Sequence, residues 1–290
     1  MYFILKKLSA FATWMGPRGW HFWGGGFGTL LWWFLPKKRR SIMLDNLMTS
    51  LQIDEKNARH LAKVNCQNMG ILIMEALALP KLTPENVSEW ISIEGKEHLE
   101  EALAMNRGVI IATAHQGNWE WLGGGLALHG YPLVAVMTPQ HNQEINQLIM
   151  DLRGGANMIL AMRAEVRDMV RHLKEGRAVG LLMDQYAPQS DIRVSFFGRE
   201  TSCQPGPAVL ARLQKAPIVP IFIHRLPSGK HHITVYPLKL VDQEKERHLA
   251  QEEITRELMG IIEAYIRKHP EEWFWLHNRW KLVGRERTTS

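Results

Sequence analysis

The sequence of 290 residues has only two cysteines, Cys66 and Cys203, which are 137 positions apart. This spacing offers neither a disulfide framework nor the ligands of a zinc site. Nothing near Cys203 in the sequence could serve as the base for a catalytic thiol. We therefore expect both cysteines to be small buried side chains in a protein from a reducing compartment.

Several motifs of catalysis and nucleotide binding are also missing. There is no G-x-S-x-G for a serine hydrolase, no G-x-x-x-x-G-K-[ST] for nucleotide phosphates, and no G-x-G-x-x-G after a strand. No histidine spacing suits a metal, so neither a metal nor another cofactor is expected. The glycine triplet at 123–125 falls inside a predicted helix. It indicates that a neighbouring element or an acyl chain approaches that helix closely.

A long apolar run is absent from the N-terminal region. The uncharged stretch 19–36 has 18 residues and includes His21 and several glycines, whereas a transmembrane helix needs about 20 mostly apolar residues. Basic residues flank the stretch at Arg18 and at 37–40. A span would therefore have no preferred orientation, while an interfacial segment keeps all the cations on one side of the membrane. The pattern favours monotopic attachment over spanning.

Positive charge and tryptophan are concentrated at the same end of the chain. The formal net charge is +6, and the first 51 residues hold seven basic side chains and one acidic. Five of the 11 tryptophans lie there too, and tryptophan favours the membrane interface. We interpret residues 1–41 as a segment that associates with an anionic membrane through Trp20, Trp23, Trp32, Trp33, Lys37, Lys38, Arg39 and Arg40. The alternative is a tryptophan-rich helix on the protein core; no nucleic-acid partner is expected.

The remaining residues, 42–290, read as one α/β domain. Apolar residues recur at helical spacing from about Ile42 to Leu79, which predicts a helical subdomain over 42–90. Beyond it, short β-branched runs alternate with helices of about ten residues. Strands are predicted at 90–93, 108–114, 133–137, 157–160, 178–183, 218–223 and 232–238. The alternation predicts a mostly parallel central sheet flanked by helices.

The motif HQGNWE at 115–120 directly follows the predicted strand 108–114. Ligands of open α/β sheets bind at such strand-to-helix junctions. A carboxylate at Glu120 could accept the imidazole N–H of His115, so that the other ring nitrogen takes a proton from an alcohol. The alternative is a buried structural histidine, with Glu120 complementing the helix dipole.

The motifs together resemble the late acyltransferases of lipid A biosynthesis, the lauroyl and myristoyl acyltransferases. The resemblance rests on the tryptophan-rich N-terminus with its basic cluster and Asn46-Leu47, HQGNWE at 115–120, Arg153, LKEG at 173–176, LLMDQ at 181–185, VSFFGRETSCQPGPAVLA at 194–211, APIVPIF at 216–222 and HPEEWFWLHNRWK at 269–281. It implies a layered fold like that of glycerolipid acyltransferases.

The same resemblance implies an O-acyltransferase at the cytoplasmic face of a bacterial inner membrane. It would move a fatty acyl chain from the thioester of acyl carrier protein to a hydroxyl of a phosphorylated glycolipid, a lipid A precursor, without a covalent enzyme intermediate. His115 would be the general base and Glu120 its orienting partner.

Substrate binding is expected at Arg153, Asp184, Gln185, Gly198 and Arg199. The arginines suit phosphate or an anionic sugar, because a guanidinium forms forked hydrogen bonds with such groups. Structural ion pairs and turn positions are the alternatives for these residues.

Two other functions stay open at this point. One is acylation of a different acceptor, such as a lysophospholipid or another glycolipid, although the more distant glycerolipid acyltransferases carry aspartate at the position of Glu120. The other is a catalytically inert lipid-binding protein of the membrane.

Overall fold

The computed structural model describes residues 1–281. Within these residues the strands, in chain order, are β1 (Ile91–Glu94), β2 (Val109–Thr113), β3 (Leu133–Met137), β4 (Ile159–Met162), β5 (Ala178–Leu182), β6 (Arg193–Phe196), β7 (Arg199–Ser202), β8 (Ile218–Arg225) and β9 (His231–Val235). The hairpin of β6 and β7 was not predicted from the sequence. Each predicted strand is present within two or three residues of its expected position.

Seven strands form the central sheet in the order β1-β9-β8-β2-β5-β3-β4. The five from β8 to β4 run parallel, while β9 is antiparallel to β8 and β1 is parallel to β9. The prediction of a mostly parallel α/β sheet is confirmed. Thr113 at the end of β2 lies beside Leu182 at the end of β5, so the segments that follow these strands emerge next to each other.

Helices cover both faces of the sheet, and the first four helices of the chain form an additional layer. The helices are α1 (Tyr2–Trp14), α2 (Pro17–Phe34), α3 (Lys37–Leu51), α4 (Glu55–Leu77), α5 (Val87–Trp90), α6 (Lys96–Ala104), α7 (Trp119–Leu128), α8 (Gln143–Gly155), α9 (Val166–Lys174), α10 (Gly206–Gln214) and α11 (Arg247–Lys268). The expected boundary between residues 41 and 42 falls inside α3. All five residues of β2 are buried, as expected for a strand covered on both faces.

Helix α2 packs on α4 at backbone distance. A Cβ added to Gly28 would lie 2.1 Å from the Cys66 carbonyl oxygen, and one added to Gly70 would lie 2.0 Å from that of Gly24. No side chain fits between the two helices at these positions. By contrast, nothing lies within 4 Å of a Cβ built on Gly25 or Gly26. The close packing fixes which face of α2 points away from the protein.

The inner face of α2 carries two tryptophans that we expected at a membrane. Trp20 is 0% exposed and Trp32 is 3% exposed, because they share one helical stripe with Gly24 and Gly28 at a spacing of four residues. The expectation that they contact a membrane is wrong. Trp23 and Trp33 point outward and are 56% and 65% exposed.

The basic cluster is divided in the same way. Lys37, Lys38 and Arg39 are exposed at the start of α3. Arg40 turns back: its guanidinium lies 4.7 Å from the centre of the Trp32 ring and donates to the Trp32 carbonyl at 2.6 Å. Arg40 therefore satisfies backbone carbonyl groups in the last turn of α2. Among residues 1–281, no helix is both long and apolar enough to cross a membrane.

The packing of α2 on α4 predicts unequal effects of two glycine substitutions. Gly28→Ala places a methyl group against the Cys66 carbonyl and is expected to lower the free energy of unfolding by about 1–3 kcal/mol. Gly26→Ala, on the open face of the same helix, is expected to stabilise by up to about 1 kcal/mol through helix propensity. Urea unfolding in detergent measures both, and equal stability of the two variants would contradict the packing.

Candidate active site

His115 and Asp184 meet at the carboxyl edge of the sheet. Each follows the end of one of the neighbouring strands β2 and β5 by two residues. The Nδ1 atom of His115 lies 2.8 Å from Oδ1 of Asp184, and the His115 backbone N–H donates to Oδ2 at 3.0 Å. The side chain of Asp184 is 2% exposed and that of His115 is 23% exposed. A buried carboxylate that accepts at Nδ1 leaves Nε2 of the imidazole free to accept a proton.

The electrostatics of the pair favour its charged form. Burial alone would raise the pKa of Asp184, but the charge and hydrogen bonds of His115 outweigh burial and hold that pKa below its usual value. Burial likewise opposes a charged imidazole, but Asp184 more than offsets it and raises the pKa of His115. The pair is therefore suited to receive a proton at Nε2.

The second ring nitrogen of His115 faces other polar and aromatic side chains. Nε2 lies 3.4 Å from the amide nitrogen of Gln185. The edge of the Trp119 ring packs on the imidazole, with ring centres 5.2 Å apart. As expected from the sequence, Asp184 and Gln185 lie beside His115.

A segment near the C-terminus packs against the loop that carries His115 and Gly117. We call residues 269–275 the C-terminal strap. Its Phe274 N–H donates to the His115 carbonyl at 3.1 Å, and its Glu272 carbonyl accepts from Gly117 N–H at 3.2 Å. The Trp273 indole N–H donates to Oδ2 of Asp184 at 2.8 Å. The strap thus contacts both members of the His115–Asp184 pair.

Glu120 is engaged by Arg153 and not by His115. The Arg153 guanidinium donates to both carboxylate oxygens of Glu120 at 2.8 Å, and both side chains are mostly buried. Because Asp184 occupies Nδ1, the hydrogen bond that we expected between Glu120 and His115 is not formed. The carboxylate that bonds to the His115 ring is that of Asp184. Glu120 acts on the imidazole only through its charge, which adds to the rise of the His115 pKa.

A buried ionic cluster on α4 and β8 contacts the N-terminal end of α7. It was not predicted from the sequence. Glu75 of α4 is fully buried and accepts from Arg225 at 2.6 and 2.9 Å and from Asn118 at 3.1 Å. Asn118 in turn caps α7 by accepting from Trp121 N–H at 3.0 Å. A lone carboxylate within the apolar run GILIMEALAL was the available signal, since such a charge is buried only with a partner.

An apolar groove runs between α7 and the sheet. Its lining includes Leu122, Gly123, Ala135, Met158, Gly180 and Leu182, together with the paired Glu120 and Arg153 and with Trp119, whose ring contacts His115. Gly124 and Gly125 do not line it; their Cβ positions are occupied by Leu79 and Ile91 side chains at 2.8 and 2.6 Å. The glycine triplet at 123–125 therefore allows close helix packing at Gly124 and Gly125 and lines the groove at Gly123.

Gly198 and Arg199 lie away from this pair. Gly198 is in the turn between β6 and β7, where it follows Phe197, and both have positive φ angles, +71° and +53°. Arg199 stacks on Trp280 at 3.6 Å and donates to Ser50. In residues 1–281 neither residue contacts His115 or Asp184, so their assignment to substrate binding stays a prediction.

The sequence model described as "Bacterial lipid A biosynthesis acyltransferase" matches residues 8–282. The chain belongs to this family. The resemblance found in the motifs is thereby confirmed, and the protein is an acyltransferase.

Curated relatives of this acyltransferase cover most of its length. The lipid A biosynthesis lauroyltransferase of Escherichia coli K12 is 29% identical over 89% of the chain and 84% of its own length. The palmitoleoyltransferase of lipid A biosynthesis from the same strain is 27% identical, over 91% and 92%. The phosphatidylinositol mannoside acyltransferase of Mycolicibacterium smegmatis is 26% identical, over 71% and 67%.

The carboxylate of Glu272 gives the acyltransferase a pH-dependent stability. Burial raises the pKa of Glu272 to about 7, whereas the Arg225 charge lowers it; in the unfolded chain a glutamate titrates near pKa ~4.3. The folded state thus holds a proton that the unfolded chain has released, and stability is lost as pH rises from about 4 through 7.

Glu272→Gln is expected to remove this loss, because the amide oxygen still accepts from the Arg225 N–H that Glu272 binds. The variant should gain about 2–4 kcal/mol relative to the wild type between pH 4 and 8. Urea unfolding over this range measures the difference, and a difference that does not change with pH would contradict the assignment.

Proposed function

We propose that the protein transfers a fatty acyl chain from the thioester of acyl carrier protein to a hydroxyl of a lipid A precursor. The observation that carries this proposal is the His115–Asp184 pair at the carboxyl edge of the sheet, in a chain of the lipid A acyltransferase family. A histidine oriented by a buried carboxylate is the arrangement that activates a hydroxyl.

In the proposed mechanism, Nε2 of His115 takes the proton of the acceptor hydroxyl as its oxygen attacks the thioester carbonyl. Asp184 holds the Nδ1–H and stabilises the imidazolium that forms. The new C–O bond forms, the C–S bond breaks, and the leaving thiolate recovers the proton from His115. The hydroxyl of the acceptor is itself the nucleophile, so no acyl-enzyme is formed.

Cys203 is unsuited to a covalent route. It is fully buried, and its thiol lies 3.6 Å from the Met183 carbonyl. Burial raises the pKa of this thiol to about 11, so it is protonated near neutral pH and a poor nucleophile. Direct attack by the acceptor hydroxyl is therefore the route that this site supports.

Arg153 is proposed to bind an anionic group of the acceptor. Glu120 fixes the guanidinium through Nε and Nη2. Nη1 is buried and has no hydrogen-bond partner in residues 1–281. An anionic group of the acceptor could accept a hydrogen bond from Nη1, since a guanidinium binds phosphate through paired N–H groups. Glu120 would then be a support of the binding arginine.

The acyl chain is proposed to lie in the groove beside α7. The groove has an apolar lining and shares Trp119 with the contacts of His115. A chain lying there would reach the imidazole with its carbonyl end. Acyl-chain specificity would then depend on the side chains at the far wall, among them Leu126 and Leu133.

Attachment to an anionic membrane is proposed for the outer faces of α1 and α2, at the cytoplasmic side of the bacterial inner membrane. Large exposed apolar side chains are concentrated on these two helices: Phe3, Ile4, Trp14, Phe22, Trp23, Phe27, Leu30, Trp33 and Phe34. A patch of this kind marks an interaction surface. The exposed Lys37, Lys38 and Arg39 follow directly and suit anionic headgroups.

The transfer reaction predicts the effect of two substitutions. His115→Ala should lower the transfer rate by at least about 10²–10⁴-fold, since it removes the base, and Asp184→Asn should lower kcat by a comparable factor. The assay mixes purified protein with carrier-bound acyl chains of graded length and a tetra-acylated lipid A precursor, and reads product masses. His129→Ala, at the far end of α7, is the matched control and should retain activity.

Undiminished transfer by His115→Ala would contradict the general-base mechanism. If the wild type acylated a phosphatidylinositol mannoside or a lysophospholipid and not the lipid A precursor, the mechanism would stand and the acceptor would be wrong. If the wild type acylated none of these, the transfer proposal itself would fail.

The membrane proposal predicts weaker binding of a Trp23→Ser/Trp33→Ser double variant. Loss of two exposed indoles should reduce partitioning onto vesicles of anionic phospholipid at least about tenfold. Sedimentation with vesicles measures it. The control is Leu213→Ser/Leu249→Ser, which removes two side chains that are 61% and 58% exposed elsewhere on the surface. Equal binding of the two double variants would contradict attachment through α2.

A further inference from the structure

Trp273 has a role that neither the sequence motifs nor the reaction assigns to it. Its indole N–H donates to Oδ2 of Asp184, while His115 bonds to Oδ1 of the same carboxylate. The Trp273 side chain is 1% exposed. Its polar atom is thus directed at the carboxylate that orients the proposed base.

The backbone that carries Trp273 is fixed from the opposite side by asparagines of the N-terminal helices. The amide of Asn65 donates to the Trp273 carbonyl at 2.8 Å and to the Glu271 carbonyl at 2.9 Å. Asn68 donates to the same Glu271 carbonyl at 3.0 Å, and Asn46 to the Trp275 carbonyl at 3.1 Å. The strap therefore cannot move away from Asp184 without breaking these bonds.

The indole ring is also fixed by aromatic neighbours. Trp275 meets it edge to face, with ring centres 4.6 Å apart, and Phe196 packs on it at 5.8 Å. Phe197 and Trp280 complete the contact at 6.2 and 6.3 Å. The hairpin turn of β6 and β7 and the strap thus share one aromatic cluster.

Other charged groups face the pair from several elements. Glu120 of α7, held by Arg153 of α8, adds negative charge near His115. His277 also lies near the pair, and its pKa is lowered by burial and by the nearby charges of Arg279 and His115. Arg279 and Cys203 lie on the side of Asp184. Trp273 differs from all of these groups because it donates directly to the Asp184 carboxylate and its indole N–H does not titrate near neutral pH.

We propose that Trp273 is a positioning residue of the reaction, whose indole N–H fixes the orientation of the Asp184 carboxylate and moderates its attraction for the imidazole proton. The inference rests on the proposed function of the His115–Asp184 pair. An N–H that donates to a carboxylate stabilises its charge. Without it, Asp184 attracts a proton on His115 more strongly, and the imidazole becomes harder to deprotonate.

The test compares Trp273→Phe with Trp20→Phe. Trp20 is a matched control, because it is equally buried and donates its indole N–H to a backbone carbonyl, that of Ala12 at 2.7 Å, but does not contact the strap. Both variants lose ring contacts and stability. Only Trp273→Phe should lower kcat, by about tenfold with KM within about twofold, and move the acid limb of the kcat profile to higher pH. NMR titration of His115 in both variants should show the same upward shift only in Trp273→Phe.

The inference is overturned if the pKa of His115 in Trp273→Phe is unchanged or lower than in the wild type, or if it rises equally in both variants. Should Trp273→Phe fail to fold, 3-benzothienylalanine at position 273 replaces the N–H with sulfur at nearly the same ring size, and the same shift is required of it. If His115→Ala is inactive and His115 titrates in Trp273→Phe as it does in the wild type, only the role proposed for Trp273 is contradicted. Full activity in His115→Ala removes the proposed function.

Discussion

The carboxylate of Asp184 is the point at which the separate parts of this molecule meet. It accepts three hydrogen bonds, from the His115 ring, the His115 backbone and the Trp273 indole. The donors come from the end of β2 and from the C-terminal strap, while the acceptor follows β5. A buried carboxylate that lost these donors would be strongly unfavourable, so the loop, the strap and the sheet edge are held in one arrangement. In the proposed mechanism, that arrangement leaves Nε2 of His115 available to the acceptor hydroxyl.

The N-terminal helices serve both the proposed membrane contact and the site. On its outer side, α2 presents exposed aromatic residues; on its inner side, it packs on α4 through Gly24 and Gly28. The opposite side of α4 supplies Glu75 to the start of α7 and Asn65 to the strap. The surface that would touch a membrane is thus two helices away from the residues that would act on its lipid. Such a layout would bring the hydroxyl of a membrane lipid close to His115.

Much of this was predictable from the sequence, because strands, helices and the HQGNWE motif are local patterns. The partner of His115 was not. Glu120 is near in sequence, but it follows the helix away from the imidazole and meets Arg153, whereas Asp184 is 69 residues further along the chain. Only the pairing of β2 with β5 brings Asp184 close to His115. The order of strands in a sheet cannot be predicted from the local periodicity of the sequence. The buried positions of Trp20 and Trp32 follow from helical spacing with Gly24 and Gly28, a signal that composition alone concealed.

The pairing of His115 with Asp184 is tested most directly by the NMR resonance of the Nδ1 proton of His115. A proton shared with a buried carboxylate is deshielded and exchanges slowly with water. The structure predicts that this resonance is present in the wild type and in Glu120→Gln, and that it disappears in Asp184→Asn. A resonance that survives Asp184→Asn and is lost in Glu120→Gln would contradict this pairing and make Glu120 the partner of His115.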